Sequence, residues 1–293
     1  MRKTKEIKEI EESWIEVLPI KKTVLFPGIM MPVAVSSKNS LKLVRSAERN
    51  NKPLIVLSQR DPHSSEPAGK DELFEMGTYA HVLQIIPVPE MGQETVMAIL
   101  EGEHRVQVTD FQKASSSTLL ANVTVCDEEM PLTSNKEFKV KVDSIKEVVM
   151  KLLEEKEQAE SNGALITIKS IKSSPSLLNY VCAIYHFPVE YKQELLGIDS
   201  LDERASALLA TLQKELEMLN IKADIRRRTM EKMDKQQREY FLQQEIETIK
   251  KDLGDTDTGA QKLQELRDRA AEKKWTQAVA DVFQRELQRL EIG

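Results

Sequence analysis

The chain has 293 residues, of which 31% are charged and 40% apolar, and its formal net charge is −6. That length exceeds one small core and predicts two or three structural units, while the acidic balance argues against a protein that holds nucleic acid by bulk charge. Cys126 and Cys182 lie far apart without metal-ligand spacing, as in a reduced intracellular protein, and no run reaches the roughly 18 apolar residues of a membrane span.

Residues 1–14, "MRKTKEIKEIEESW", lack the apolar stretch of a secretory signal and read as a charged tail. Strand signals then follow to about residue 130. "VLFPGIMMPVAV" (24–35) is apolar and punctuated by Pro27-Gly28; residues 29, 31, 33 and 35 share one strand face and 30, 32 and 34 the other. "NSLKLVRSAERNN" is one helix, with Leu41, Val44 and Ala47 at a spacing of three. "PLIVLS" (53–58) is a short continuous apolar run, as in a strand buried on both faces. "DPHSSEPAGKDE" (61–72) is a polar surface loop. "TYAHVLQII" (78–86), "ETVMAIL" (94–100), "RVQVTDF" (105–111) and "ANVTVC" (121–126) are four further strands, the first two separated by a turn at Pro87, Pro89 and Gly92. In "RVQVT" apolar and polar residues alternate, which predicts one buried and one wet face. Repeated short strands with few helices predict a small barrel or sandwich.

After Pro131 the period changes. Phe138, Val142, Ile145, Val149 and Leu152 form one helical stripe, which Asn162-Gly163 is expected to end. "SSPSLLNYVCAIY" and "FPVEYKQELLG" each carry a proline near a helix start, and the second closes on Gly197. These segments predict a compact helical bundle. From Ile198 to Leu253 there is neither glycine nor proline. Leu209, Leu212, Leu216 and Leu219 give this helix a stripe that packs in the bundle. The stripe fades, then resumes as a narrow seam of Leu242, Ile246, Ile249 and Leu253, suited to another helix in self-association. A polar break at 254–261 precedes two more helical stretches.

No credible active site emerges. "GDTDTGAQK" lacks the Gly-Lys-Ser/Thr ending through which a P-loop meets phosphate, so no P-loop, catalytic residue or metal site is assigned. His63, His81, His104 and His186 show no ligand spacing and read as structural. Three features suit binding. Phe26, Met30 and Met31 form an adaptable apolar cluster, set against the plainer reading that they are core. Arg226, Arg227 and Arg228 would suit acidic partners, but Asp224, Glu231 and Asp234 neutralise them and favour a solvated helix face. The third is the long helix with its seam.

Several motifs resemble the N-terminal domain of the Lon protease family, in order and across nearly the whole chain. Leu18-Pro19-Ile20, Phe26-Pro27-Gly28 and Pro32 resemble its opening strand, "EMGTYAHVLQI" its Gly-Thr strand, and "LEGEHRVQV" its Glu-Gly-x-x-Arg strand. "PVEYKQELLGIDSLDERASALLATLQKELEML" resembles its helical part, and Gln237-Arg238-Glu239-Tyr240 with Leu253-Gly254 its long helix. "SPSLLNYVCAIY" departs from the family's acidic, alanine-rich pattern. The resemblance implies an α+β fold: a small PUA-like β-barrel (15–130), an α-helical bundle (131–220) and a long extended connecting helix of coiled-coil type (221–254). Residues 255–293 would then lead to an AAA+ ATPase module. It further implies a substrate-recognition and hexamer-assembly domain of an ATP-dependent serine protease with a Ser-Lys dyad. The expected partners are unfolded or degron-bearing proteins and other subunits of a cytoplasmic homo-hexamer, with no membrane and no nucleic acid. No cofactor is expected in this region; ATP and Mg would serve the ATPase module. The rival is a stand-alone PUA-like adaptor or RNA-binding module, against which stand the acidic charge and the few aromatics available for stacking.

Overall fold

A computed structural model describes residues 2–64, 69–88, 95–114, 118–132, 135–155, 159–252, 258–272 and 277–292. Residues 1–220 form one compact unit and residues 221–293 a second.

The first unit opens with α1 (Arg2–Glu11) and strands β1 (Ile15–Ile20) and β2 (Met30–Val35). The expected charged tail is therefore largely helix. Ile10 gives the reason: it is buried in a cluster with Ile15, Val17 and Val123, so this short helix has an apolar anchor on the sheet. Glu11 extends the attachment, its carboxylate accepting from Val125 N–H at 3.0 Å and its carbonyl from Asn122 Nδ2 at 2.9 Å. Helix α2 (Lys38–Asn50) starts at Ser37, whose side chain accepts from Ser40 N–H, and stops at Asn51 in left-handed conformation. Its buried face is Leu41, Leu43, Val44 and Ala47.

Strands β3 (Leu54–Ser58), β4 (Met76–Pro87), β5 (Val96–Lys113) and β6 (Leu119–Cys126) complete the sheet, in the order β2-β5-β4-β3-β1-β6. Every residue of β3 is buried, as its unbroken apolar run requires. The two strands expected over 94–111 are one, β5. Gly102 lies between them without making a turn, because it stays paired with Ala80 of β4, which runs alongside with two register shifts. Residues 96–101 of β5 pair with β2, and 105–113 pair with β6. Strand β1 lies parallel to β3 and antiparallel to β6, so the ladder β1-β3-β4-β5-β6 returns to β1.

The helical part of this unit contains α3 (Lys136–Glu154), α4 (Ala159–Ser170), α5 (Ser174–Ile184), α6 (Val189–Gly197) and the start of α7 (Leu201–Asp252). The expected α3 stripe of Phe138, Val142, Ile145, Val149 and Leu152 is buried. Asn162-Gly163 does not end that helix but lies inside α4. An isolated glycine costs a helix about 1 kcal/mol, which tertiary packing such as the burial of Ile168 can override.

The second unit holds the rest of α7, then α8 (Thr258–Ala271) and α9 (Gln277–Ile292). From Ile225 to Thr248 every side chain is exposed. Arg227 and Arg228 both pair with Asp224 within the same helix, at 2.7 and 2.8 Å, so the arginine triplet includes a locally neutralised face. No helix among the described residues is long and apolar enough to cross a membrane.

Candidate functional site

The segment Val24–Ile29 fixes the geometry around the predicted apolar site. Val24, Phe26 and Ile29 belong to the helical core, while Leu25 belongs to the sheet core. Gly28 takes a φ of 72°, a conformation glycine adopts at little cost, and its N–H donates to Gly102 carbonyl at 2.8 Å. Gly102 in turn donates to Ile29 carbonyl at 3.0 Å. A Cβ on Gly102 would lie 2.5 Å from Phe26 carbonyl oxygen, so these backbones meet at a distance only glycine allows.

The three predicted substrate-binding residues therefore separate. Phe26 is wholly buried and cannot touch a surface ligand; the sequence reading of it as a binding residue is corrected by its place between the two cores. Met31 is half-buried against both cores, and Thr23 Oγ1 donates to its sulfur at 3.5 Å. Met30 is 65% exposed. Strand alternation explains the division: Val33 and Val35 turn inward, while Met30, Pro32 and Ala34 form an exposed apolar face. Among the described strands β2 pairs with β5 alone, so its other edge is free. Along it lies a cleft of about 970 Å³, lined by Pro19–Thr23 on one side and Pro32–Ser37 on the other. Pro32 has no N–H to offer an added strand, which blunts the edge for pairing but leaves its apolar face available.

Elsewhere in this unit, two buried arginines join sheet and helices. Arg105 of β5 is 1% exposed. Its guanidinium donates to the carbonyls of Leu196, Ile198 and Asp127 at 2.7, 3.1 and 2.9 Å, and to Asp199 Oδ1 at 2.6 Å. Arg204 of α7 donates to Glu128 Oε1, to Asn179 Oδ1 at 2.7 Å and to Ile198 carbonyl at 2.7 Å. Asn179 closes the circuit by donating to Pro27 carbonyl at 3.2 Å. Plain alternation placed Arg105 on a wet face. The available signals were the Glu-Gly-x-x-Arg motif and, for Arg204, a charge among the apolar positions Leu201, Ala205 and Leu208.

A second cleft, about 430 Å³, is lined by Lys22, Thr23, residues 183–188 and Lys192. Lys192 Nζ donates to Ala183 carbonyl at 2.5 Å, and burial pushes its ammonium down to about 8. Nearby Cys182 is buried in the helical core, and that burial raises its thiol to about 12, so it is not a reactive thiolate.

Of the predicted self-association seam, Leu242 and Ile246 are 50% and 52% exposed on α7. Ile249 lies in the same helix, and the side chain of Ile249 and the whole of Leu253 fall outside the described residues.

Comparison with known proteins agrees with this architecture. Residues 14–214 match the family model of the ATP-dependent protease La (LON) substrate-binding domain. The chain is 33% identical over 276 residues to a Lon protease of Flavobacterium johnsoniae, covering 94% of this chain and 33% of that protein. It is also 33% identical to a Lon protease of Porphyromonas gingivalis, with 94% and 32% covered. Thus it spans about a third of the length of these curated relatives. Among solved structures, the N-terminal domain of Mycobacterium avium complex Lon protease shares its fold, with a TM-score of 0.53 at 17% identity over 69% of this chain and 98% of that one. The family match over residues 14–214, which runs across both the mixed sheet and the helical layer, makes this chain a member of the LON substrate-binding domain family.

Proposed function

We propose that this domain captures extended, apolar segments of unfolded or degron-bearing proteins on the outer face of β2, centred on Met30, for an ATP-dependent protease. The supporting observation is the run Met30, Pro32 and Ala34, apolar and exposed on a strand paired along one edge only. Methionine is unbranched and polarizable, so it packs against varied partners, as selection of unfolded chains demands. The ring of pairings β1-β3-β4-β5-β6 supports reading the sheet as a small barrel of the PUA-like kind. The family description names an ATP-dependent protease, which supports a role beside ATP-driven proteolysis; a cytoplasmic hexamer that uses ATP, Mg and serine-protease chemistry outside this domain is the rest of the proposal and rests on the motif resemblance.

The test is titration of a fluorescently labelled, permanently unfolded protein against the chain without nucleotide. Met30→Asp should weaken binding by about tenfold or more, since desolvating one methionine contributes on the order of 1.5–3 kcal/mol. Equal affinity in wild type and variant, with the fold intact by circular dichroism, would place recognition elsewhere.

A further inference from the structure

Away from β2, α1 meets the β4–β5 hairpin at an unusual cluster of side chains. Glu6 of α1, Glu103 and His104 of β5 each offer one ligand atom, and these three atoms lie within 4.8 Å of one another. Ile10, one turn after Glu6, is the residue that anchors α1 on the sheet, so the packed side of the helix also carries Glu6 toward the hairpin.

A bulge sets the strand side of the cluster. Tyr79 pairs with His104 while Ala80 pairs with Gly102, leaving Glu103 as the extra residue. Such a bulge re-aims side chains, so Glu103 and its neighbour His104 converge although adjacent strand residues normally diverge. Strand β4 contributes His81, whose Nε2 is 3.5 Å from Glu103 Oε1, and Tyr79, whose ring lies 5.7 Å from that of His81 and 6.3 Å from that of His104. Among the residues whose side chains are described, no lysine or arginine forms an ion pair with Glu6 or Glu103.

We propose that Glu6, Glu103 and His104 bind a divalent transition-metal ion of the zinc class, which clamps α1 to the β4–β5 hairpin. One imidazole and two carboxylates are a donor set suited to such an ion, with a fourth position left for water or His81. With metal–ligand bonds of about 2.0–2.2 Å, tetrahedral ligands stand roughly 3.3–3.6 Å apart. Closing from 4.8 Å needs only small rotations of exposed glutamate side chains. If His81 stays outside the metal, it holds the Glu103 carboxylate from behind, the usual arrangement for a ligating carboxylate. The cation also relieves the repulsion between the two carboxylates.

Calorimetric titration of the chelator-treated full chain with zinc chloride tests this, with cobalt(II) absorption as a second probe of the ligand set. One equivalent should bind and slow tryptic cleavage at the lysines of α1. Glu6→Gln, Glu103→Gln and His104→Gln should each weaken that binding by more than tenfold, and His81→Gln by about tenfold. All four positions are at least partly exposed, so circular dichroism should show each variant folded. Absence of zinc binding, or one-equivalent binding that His104→Gln and Glu6→Gln leave unchanged, would overturn the assignment.

Discussion

Arg105→Ala is the sharpest test of how sheet and helices hold together. Wild-type Arg105 makes four hydrogen bonds from a side chain with no exposed surface. Truncation does not cost the same at each partner. Ile198 carbonyl still accepts from Arg204, and Asp199, 65% exposed, regains water. Leu196 and Asp127 carbonyls lose the guanidinium donor, at about 1–3 kcal/mol each. Lost packing of the arginine stem adds to this. The sum is about 3–5 kcal/mol, the range found when a buried charged network loses one partner. Urea unfolding followed by far-UV circular dichroism should show a correspondingly lower midpoint. Arg105→Lys should fall between, because an ammonium keeps the charge but not the planar fork. Arg227→Ala, which removes an exposed pair with Asp224, should leave the midpoint in place. A loss below about 1 kcal/mol for Arg105→Ala would mean that this network holds nothing the surrounding apolar packing does not already hold.

Three further outcomes follow from single sites. Gly102→Ala drives a methyl against Phe26 carbonyl at 2.5 Å and should cost about 1–3 kcal/mol, whereas Gly163→Ala meets nothing within 4 Å inside α4 and should gain about 0.5–1 kcal/mol in the same urea assay. Lys192 has a folded pKa near 8 against its ordinary 10.5, so the unfolded chain binds more protons between those values. Its unfavourable burial is fully present below pH 8 and fades toward 10.5; the stability of wild type relative to Lys192→Met should therefore rise on the order of 1–3 kcal/mol across that window. Leu242→Glu with Ile246→Glu should lower the sedimentation coefficient of any self-associated form, and unchanged mass would remove these residues from the assembly surface.

The long apolar periods were legible because one rule dominates each of them. The α3 stripe and the β3 run are buried as their spacing requires, since burial of a repeated face outweighs local preference. Short-range punctuation misled where packing overrode it: Asn162-Gly163 continues a helix, and α1 is held by one isoleucine and polar bonds that its charge-rich composition conceals. Of the candidate binding cluster, only the split between the two faces of β2 was legible, by alternation. The 30, 32, 34 face is the exposed one, but Phe26 precedes β2, where the chain passes between two cores and the period-two rule no longer applies. Arg105 and Arg204 carried only indirect signals, a motif and a charge on an apolar helix face, because the partners that satisfy them, such as Leu196, Asp127 and Glu128, are distant in sequence.

The placement of Val24–Ile29 also bears on how β2 could work. Alternate residues of this segment are fixed in different cores, its turn is locked by the Gly28–Gly102 exchange, and Asn179 holds Pro27 from the helical side. The exposed start of β2 therefore stands on backbone that has few alternatives. A rigid platform spends little ordering entropy on binding, which matters when the ligand is an unfolded segment that must itself be ordered. Adaptability then resides in the methionine side chain, which can change rotamer without moving the strand. On this argument Gly102→Ala should weaken capture as well as stability, although residue 102 contacts no ligand, because it loosens the platform under Met30. Cavity-forming Ile145→Val, in the helical core, should lower stability yet leave capture unchanged in the native protein. If both variants reduce binding in proportion to their loss of stability, the platform has no special role, and the affinity merely follows the folded fraction.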